Sequence, residues 1–167
     1  MRTHRANPLS ELKLKTPKEL KRIISSLKAR GKTIVFTNGC FDLLHYGHVK
    51  YLEGAKKKGD ILVVAINSDA SVRRIKGGKR PFVGEKDRQK IIAALEAVDY
   101  AIIFDEDTPL ETIKLLKPDI LVKGADWKKE RIVGADYILR YGGKVSSIKL
   151  VKNRSTTNLI KKIASTF

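Results

Sequence analysis

Short apolar runs alternate with helix-forming stretches along almost the whole 167-residue chain, and this order restricts the fold more than any other feature of the sequence. The apolar runs predict strands near residues 33–37, 61–66, 100–104, 119–123 and 144–150. The intervening stretches predict helices near 17–29, 47–58, 85–97, 109–116 and 131–141, and a last one that begins at Ser155 and ends near 164. Such alternation favours a parallel sheet covered by helices on both faces.

Signals at the helix starts support this alternation. Thr16-Pro17-Lys18-Glu19 has the form of a capping box with proline at the first helical position, and Thr108-Pro109-Leu110-Glu111 repeats the pattern. The length suits about one domain. We therefore predict a single α/β domain over residues 16–167, a Rossmann-like, doubly wound parallel sheet with helices on both faces. A mobile N-terminal arm is predicted over residues 1–15.

One segment at a predicted strand-to-helix junction carries chemistry: Thr37-Asn38-Gly39-Cys40-Phe41-Asp42-Leu43-Leu44-His45-Tyr46-Gly47-His48. His45 and His48 are three residues apart, a spacing that places both rings on one face at a helix N-terminus. The first turn of a helix offers unpaired N–H groups and the positive end of the dipole, which attract phosphate. Gly47 leaves room for a phosphate to approach the backbone. The segment therefore predicts a phosphoryl-transfer site.

The same segment fills every fixed position of the signature Thr-x-Gly-x-Phe-Asp-x-x-His-x-Gly-His, so the chain resembles the cytidylyltransferase-like branch of the nucleotidyltransferase superfamily. Further matching segments are Ala65-Ile66-Asn67-Ser68-Asp69, Lys76-Gly77, Arg80-Pro81, Arg88, Leu95-Glu96-Ala97-Val98-Asp99, Leu121-Val122-Lys123-Gly124-Ala125-Asp126 and Ser155-Thr156-Thr157-Asn158. The resemblance covers residues 32 to 163. Within the superfamily the chain looks most like the adenylyltransferase domain that makes ADP-heptose for lipopolysaccharide, which is often fused to a sugar kinase.

This resemblance implies a reaction and its participants. A sugar 1-phosphate, D-glycero-β-D-manno-heptose 1-phosphate, attacks the α-phosphorus of ATP in line and releases pyrophosphate, and Mg²⁺ accompanies the triphosphate. A transfer of this kind requires positioning and neutralisation of charge, without a covalent enzyme intermediate. The resemblance assigns catalysis to His45 and His48, at the α- and β-phosphates, and to Lys76.

The resemblance also implies which residues bind the nucleotide. Arg80 would close over the phosphates together with Lys76, and Arg88 would be a phosphate-binding arginine. The hydroxyl groups of the sequence Ser155-Thr156-Thr157 would hold the β- and γ-phosphates at a helix start. The remaining binding candidates are Thr37, Asn38, Gly39, Phe41 and Asp42 in the signature, and Lys123, Gly124, Asp126 and Trp127 near the nucleoside.

Two roles remain open for Asp42. As a carboxylate among several cations, it either orients a histidine or lysine or helps to hold Mg²⁺ through water. No dedicated carboxylate cage is visible in the sequence, which favours a magnesium ion carried mostly by the nucleotide phosphates. We therefore predict no protein-bound metal site.

Composition limits the other possibilities. The formal net charge of +17 raises the possibility of a nucleic-acid-binding module, but the basic residues are spread along the chain without an aromatic stacking stripe. The single cysteine excludes an intramolecular disulfide. With no signal peptide and no apolar run long enough to span a bilayer, we expect a cytoplasmic protein that does not contact membranes. A homodimer is common among the proteins that the chain resembles.

The identity of the acceptor is less constrained. Glycerol 3-phosphate cytidylyltransferases carry an arginine before a Tyr-Val-Asp that this chain replaces with the sequence Glu96-Ala97-Val98-Asp99, and the loss of a cation argues against CTP and glycerol phosphate. Asn153-Arg154 departs from the heptose pattern, in which an acidic residue and glycine precede Ser155. The alternatives are therefore glycerol 3-phosphate with CTP, FMN with ATP, or a non-enzymatic nucleic-acid-binding module.

Overall fold

A five-stranded, wholly parallel sheet forms the centre of the computed structural model, which describes residues 9–125, 132–152 and 154–166. The strands are β1 (Ile34–Gly39), β2 (Ile61–Asn67), β3 (Tyr100–Phe104), β4 (Ile120–Gly124) and β5 (Lys144–Ile148). The helices are α1 (Leu9–Leu12), α2 (Pro17–Ala29), α3 (Tyr46–Lys56), α4 (Asp69–Lys76), α5 (Glu85–Ala93), α6 (Leu110–Leu116), α7 (Ala135–Arg140) and α8 (Thr156–Ala164). The predicted α/β, Rossmann-like fold is confirmed.

The strand order β3-β2-β1-β4-β5 fixes the position of the site. From β1 the chain moves outward to β2 and β3, then crosses back to β4 on the other side of β1, so the direction of winding reverses between β1 and β4. Ligands of such sheets bind beyond the carboxyl ends of the strands at this reversal point. The carboxyl end of β1 is Gly39, within the signature segment.

The sheet is apolar on both faces because consecutive β1 side chains point to opposite sides. Ile34 and Phe36 pack with Leu20 of α2 in the core on one face, and Val35 packs with Leu52 of α3 on the other. All five side chains are fully buried. Continuous burial of this kind is what parallel strands covered on both faces require.

The two predicted capping boxes have different outcomes. At α2 the box is present: the Glu19 N–H donates to Thr16 Oγ1 at 3.3 Å, and the Thr16 N–H donates to Glu19 Oε2 at 2.8 Å. The prediction at Thr108 is wrong, because α6 starts at Leu110 and no side chain in the described residues caps it. Thr108 instead lies in the loop between β3 and α6, which reaches the cleft described below.

Helix α4 was not predicted from the sequence. It is short and strongly charged, and only Ser71 and Val72 are buried. The cap that starts it is local, since Ser68 Oγ accepts from the Ser71 N–H at 3.0 Å. The helix predicted over 131–141 is also shorter than expected, because α7 begins only after Gly134, whose φ of 88° is left-handed.

The N-terminal arm predicted over residues 1–15 is described from Leu9 onward. The Ala101 N–H donates to Lys13 O at 3.0 Å, and the Lys15 N–H donates to Ala101 O at 3.3 Å, so this segment bridges to the edge strand β3. Leu14 packs against the core on the α3 side of the sheet. Packing against the sheet therefore begins upstream of residue 16.

No helix in the described ranges has the length and apolar character to cross a membrane.

Candidate active site

A cleft of about 710 Å³ opens at the carboxyl ends of the strands. Its walls come from the signature segment, the end of α4, the β3–α6 loop, the end of β4 and the start of α8. The predicted residues that line it are Asn38, Gly39, Phe41, Asp42, His45, His48, Lys76, Arg80, Lys123, Gly124, Ser155, Thr156 and Thr157. Residues far apart in the sequence therefore meet in one cavity.

The two signature histidines form a stacked pair at the start of α3. His45 occupies the N-cap position with extended backbone, and its ring lies 3.8 Å from that of His48, centroid to centroid, with 18° between the planes. The Phe41 ring forms a T-shaped contact with His48, with 5.3 Å between the ring centroids. Gly47 permits this arrangement, because a Cβ there would lie 3.0 Å from the His45 ring. The space above Gly47 that the sequence suggested for a phosphate thus holds His45.

Both histidines are poised to be neutral at neutral pH. Burial, followed by the neighbouring His45, lowers the pKa of His48 to about 4. Burial also lowers the pKa of His45, and the Arg154 cation adds to this effect. The Nδ1 atoms of both rings are buried without a hydrogen-bond partner in the described chain. A buried polar atom without a hydrogen-bond partner lowers the stability of the folded state. Both Nδ1 atoms would therefore gain a partner by binding an external group.

The low pKa of His48 predicts a specific dependence of stability on pH. Below pH 6.5 the unfolded chain takes up a proton at His48, whereas the folded chain stays neutral there until about pH 4. This residue should therefore lower the free energy of unfolding as the pH falls from 6.5 to 4. Urea unfolding of wild type and His48→Asn across this window should show the variant gaining stability relative to wild type. Parallel pH profiles would contradict the expectation.

The structure gives Asp42 a role other than the two expected from the sequence. Its buried carboxylate accepts hydrogen bonds through Oδ1 from the backbone N–H groups of Phe82 (2.8 Å) and Val83 (3.0 Å). Its Oδ2 lies 2.7 Å from Nε of Arg80. Asp42 therefore orients an arginine and ties the signature to the segment after α4. Within the described ranges no histidine or lysine pairs with Asp42.

The described residues of the cleft do not provide a set of protein ligands for the Mg²⁺ that the resemblance implies. Oδ1 of Asp42 already accepts two backbone N–H groups, and Oδ2 is ion-paired with Arg80. In residues 9–125, 132–152 and 154–166, no group of three histidine, cysteine or acidic side chains is placed to hold a metal. These residues do not fit a protein-held magnesium ion, and we assign none of them to one.

The structure places Arg88 beneath the cleft and not in its wall, so the expected direct phosphate contact is corrected. Its side chain is fully buried, and the guanidinium donates to the carbonyl groups of Val83, Cys40 and Asn67 and to the Asp69 carboxylate. Each of these donors already has a protein acceptor. Arg88 thus joins the ends of β1 and β2 to the start of α5.

The end of β4 forms the opposite wall. Lys123 Nζ donates to the backbone oxygen and to the side-chain oxygen of Asn38, linking β4 to β1 within the cleft. Thr37 lies below the wall, where its hydroxyl shares a hydrogen bond of 2.7 Å with the Tyr51 hydroxyl. Asp126 and Trp127, the predicted nucleoside contacts, lie outside the described residues.

The start of α8 carries the predicted hydroxyl cluster. Ser155 Oγ caps the helix by accepting from the Asn158 N–H at 3.1 Å, and Thr156 Oγ1 donates to Leu43 O at 3.4 Å. Thr157 is exposed, and Arg154 lines the cleft beside the histidine pair. Hydroxyl groups, a helix N-terminus and a guanidinium all favour anions, and this wall of the cleft brings them together.

The comparisons with known proteins agree with this geometry. The family profile described as cytidylyltransferase-like matches residues 36–162. The chain belongs to the cytidylyltransferase-like family. It is 58% identical over 154 residues, 92% of its length, to the bifunctional protein HldE of Geobacter metallireducens, and 55% identical over 158 residues, 95% of its length, to that of Geotalea uraniireducens. It spans only 31–32% of the length of these relatives.

A solved structure supports the same assignment. The lipopolysaccharide core biosynthesis protein from Thermoplasma volcanium superposes with a TM-score of 0.61 and 35% sequence identity, over 74% of this chain and all of that chain. The Rossmann-like arrangement of this cytidylyltransferase-like chain is thus shared with a relative.

The sequence did not reveal two residues of the cleft, and one sequence argument about the acceptor used a segment that lies elsewhere. Asp107 and Thr108 line the cleft, but they lie in a polar loop whose sequence has no signature.

The segment 96–99 does not line the cleft. Asp99 instead pairs with Lys56 and accepts from the Leu62 N–H at the amino ends of the strands, the opposite edge of the sheet. The absence of an arginine in segment 96–99 therefore does not show which acceptor binds in the cleft of a single chain.

Proposed function

We propose that this chain is an adenylyltransferase that transfers AMP from ATP to a sugar 1-phosphate, D-glycero-β-D-manno-heptose 1-phosphate, giving ADP-heptose and pyrophosphate. The observation that carries the proposal is the stacked, neutral pair of His45 and His48 at the start of α3. Both Nδ1 atoms are buried and have no hydrogen-bond partner among the described residues. The similarity to bifunctional HldE proteins supports the choice of acceptor, and one third of their length suits one of two fused activities.

The proposed step needs no covalent intermediate. An oxygen of the sugar phosphate forms a bond to the α-phosphorus of ATP while the bond from that phosphorus to the bridging α,β-oxygen breaks. The electron pair of the broken bond leaves on pyrophosphate. His45 and His48 donate hydrogen bonds to the α- and β-phosphate oxygens, where negative charge accumulates. Because neutral rings give less charge than imidazolium, Lys76 and Arg154 supply the positive field. Arg80, whose charge is balanced by Asp42, adds hydrogen-bond donors.

The start of α8 would hold the departing pyrophosphate. Thr156 and Thr157 present hydroxyl groups and N–H groups of the first turn, and Arg154 precedes them. We propose that the nucleoside lies toward the end of β4, near Lys123 and Gly124. Mg²⁺ enters with the triphosphate and is bound by its phosphate oxygens. We further propose that the enzyme acts in the cytoplasm and forms a homodimer.

The test is pyrophosphate release from the purified chain with Mg²⁺ and defined pairs of substrates: ATP or CTP with heptose 1-phosphate, glycerol 3-phosphate or FMN. We expect turnover only with ATP and heptose 1-phosphate, and His48→Ala serves as the inactive control. Turnover with CTP and glycerol 3-phosphate, or with ATP and FMN, would replace the proposed acceptor. Absence of turnover with every pair would overturn the proposed reaction.

A further inference from the structure

The strand order separates the cleft into two sides around the histidine pair. His45 and His48 follow β1, the central strand, and the hydroxyl groups of Thr156 and Thr157 follow β5, at one edge of the sheet. The other side is built by the end of α4 and by the loop between β3 and α6. None of the roles proposed above except that of Lys76 uses this second side.

In-line transfer assigns a ligand to the second side. The attacking oxygen and the leaving oxygen must stand on opposite sides of the α-phosphorus. If pyrophosphate leaves toward α8, the acceptor has to approach from the side of β2 and β3. This step rests on the proposed function, since it takes the reaction as a transfer from a nucleoside triphosphate.

The loop on this side, residues 105–109, is held in place by α4. Ser68 Oγ donates to Asp105 Oδ1, and Ser71 Oγ donates to Glu106 O at 2.9 Å. Arg74 Nε lies 2.6 Å from Asp107 Oδ1, and its Nη2 donates to the backbone of Asp105. A loop fixed at three successive residues is preorganised, which lowers the cost of binding a ligand.

This fixed loop presents two unused polar groups to the cleft. Arg74 engages Oδ1 of Asp107, and within the described ranges no group donates a hydrogen bond to Oδ2. The Thr108 hydroxyl likewise has no hydrogen-bond partner in the described part of the chain, and both residues line the cavity. A carboxylate oxygen accepts from hydroxyl groups, whereas a threonine hydroxyl both donates and accepts.

We propose that Asp107 and Thr108 bind the hydroxyl groups of the sugar 1-phosphate acceptor, while Lys76 binds its phosphate. These groups favour one orientation of the acceptor, because the Lys76 ammonium attracts a phosphate. The free Oδ2 of Asp107 only accepts hydrogen bonds, so it suits hydroxyl groups and not phosphate oxygens. An acceptor with few hydroxyl groups would leave this loop without partners. The loop is thus a specificity element for a polyhydroxylated acceptor.

Steady-state kinetics with ATP and heptose 1-phosphate test this assignment in wild type, Asp107→Asn and Thr108→Val. Glu106→Gln is the matched control, because it removes an exposed acidic charge from the same loop at a residue that does not line the cleft. We expect the KM for heptose 1-phosphate to rise about tenfold in the first two variants, as loss of a hydrogen bond to a charged or hydroxyl group predicts. The KM for ATP and both constants of Glu106→Gln should stay within about twofold.

A deoxy analogue separates recognition from a structural effect. Wild type should prefer heptose 1-phosphate to analogues that lack one ring or side-chain hydroxyl, and Asp107→Asn should lose that preference for at least one analogue. An unchanged KM for the acceptor, or an equal loss with every acceptor, would overturn this assignment while leaving the adenylyltransferase intact. Wild type without any turnover of heptose 1-phosphate would overturn the proposed function and this inference with it.

Discussion

His48→Ala is expected to lower kcat by about 10²–10³-fold in the reaction proposed above, with a much smaller change in KM for ATP. The reason is that His48 would donate to oxygens whose charge grows in the transition state, so its contribution is larger there than in the ground state. The His48 ring also packs against two other rings, with centroid distances of 3.8 Å to His45 and 5.3 Å to Phe41. Steady-state kinetics of pyrophosphate release provide the measurement.

Two further variants show whether the effect belongs to the donor. His48→Gln keeps an N–H donor near the same position and should recover part of the lost kcat. Lys50→Ala changes an exposed residue of the same helix, whose ammonium lies 2.7 Å from Glu53 outside the cleft, and should remain fully active. If His48→Ala retains wild-type kcat, or if Lys50→Ala falls equally, the assigned role of His48 is wrong.

The features that could be predicted from the sequence are those that short-range patterns determine. Continuous apolar strands require two covered faces, so the parallel sheet followed from their order. The Thr16 capping box involves residues three apart and was also correct. The signature segment placed His45 and His48 at a helix start because strand, turn and helix follow each other directly.

The partners of charged residues could not be predicted in the same way. A sequence gives the charge of Asp42, but its partners Arg80, Phe82 and Val83 lie about 40 positions away and meet it only through the fold. Arg88 illustrates the same limit. Arginine suits a phosphate as well as it suits three carbonyl groups and a carboxylate, and only the packing distinguishes these environments.

Helix α4 and the loop that follows β3 were missed for a related reason. The sequence of α4 is polar and places only Ser71 and Val72 in the interior, so the apolar pattern that reveals the longer helices is absent. Its helical form depends on the Ser68 cap and on bonds to the 105–109 loop, which are contacts of long range. When two segments are stabilised mainly by polar contacts with each other, the sequence of neither segment predicts its structure.

Arg88→Met is expected to lower the free energy of unfolding by about 3–5 kcal/mol, because it removes the buried member of an ion pair and leaves three carbonyl groups without a donor. Methionine fills a similar volume but donates no hydrogen bond, so the carbonyl groups of Cys40, Val83 and Asn67 and the carboxylate of Asp69 lose their common donor. Urea unfolding followed by circular dichroism gives the change. Domains of ordinary stability have a free energy of unfolding of about 5–15 kcal/mol, so this variant would lose a large part of it.

The control for Arg88→Met is Arg22→Met, the same change of residue type at an exposed position of α2 where the described chain shows no side-chain hydrogen bond. It should alter the free energy of unfolding by less than about 0.5 kcal/mol. Arg88→Lys tests the shape of the guanidinium, because a lysine keeps the charge near Asp69 but cannot reach acceptors in four directions. We expect it to be nearly as destabilising as methionine. A lysine variant as stable as wild type would mean that charge alone holds β1, β2 and α5 together, and that the buried hydrogen-bond network contributes little.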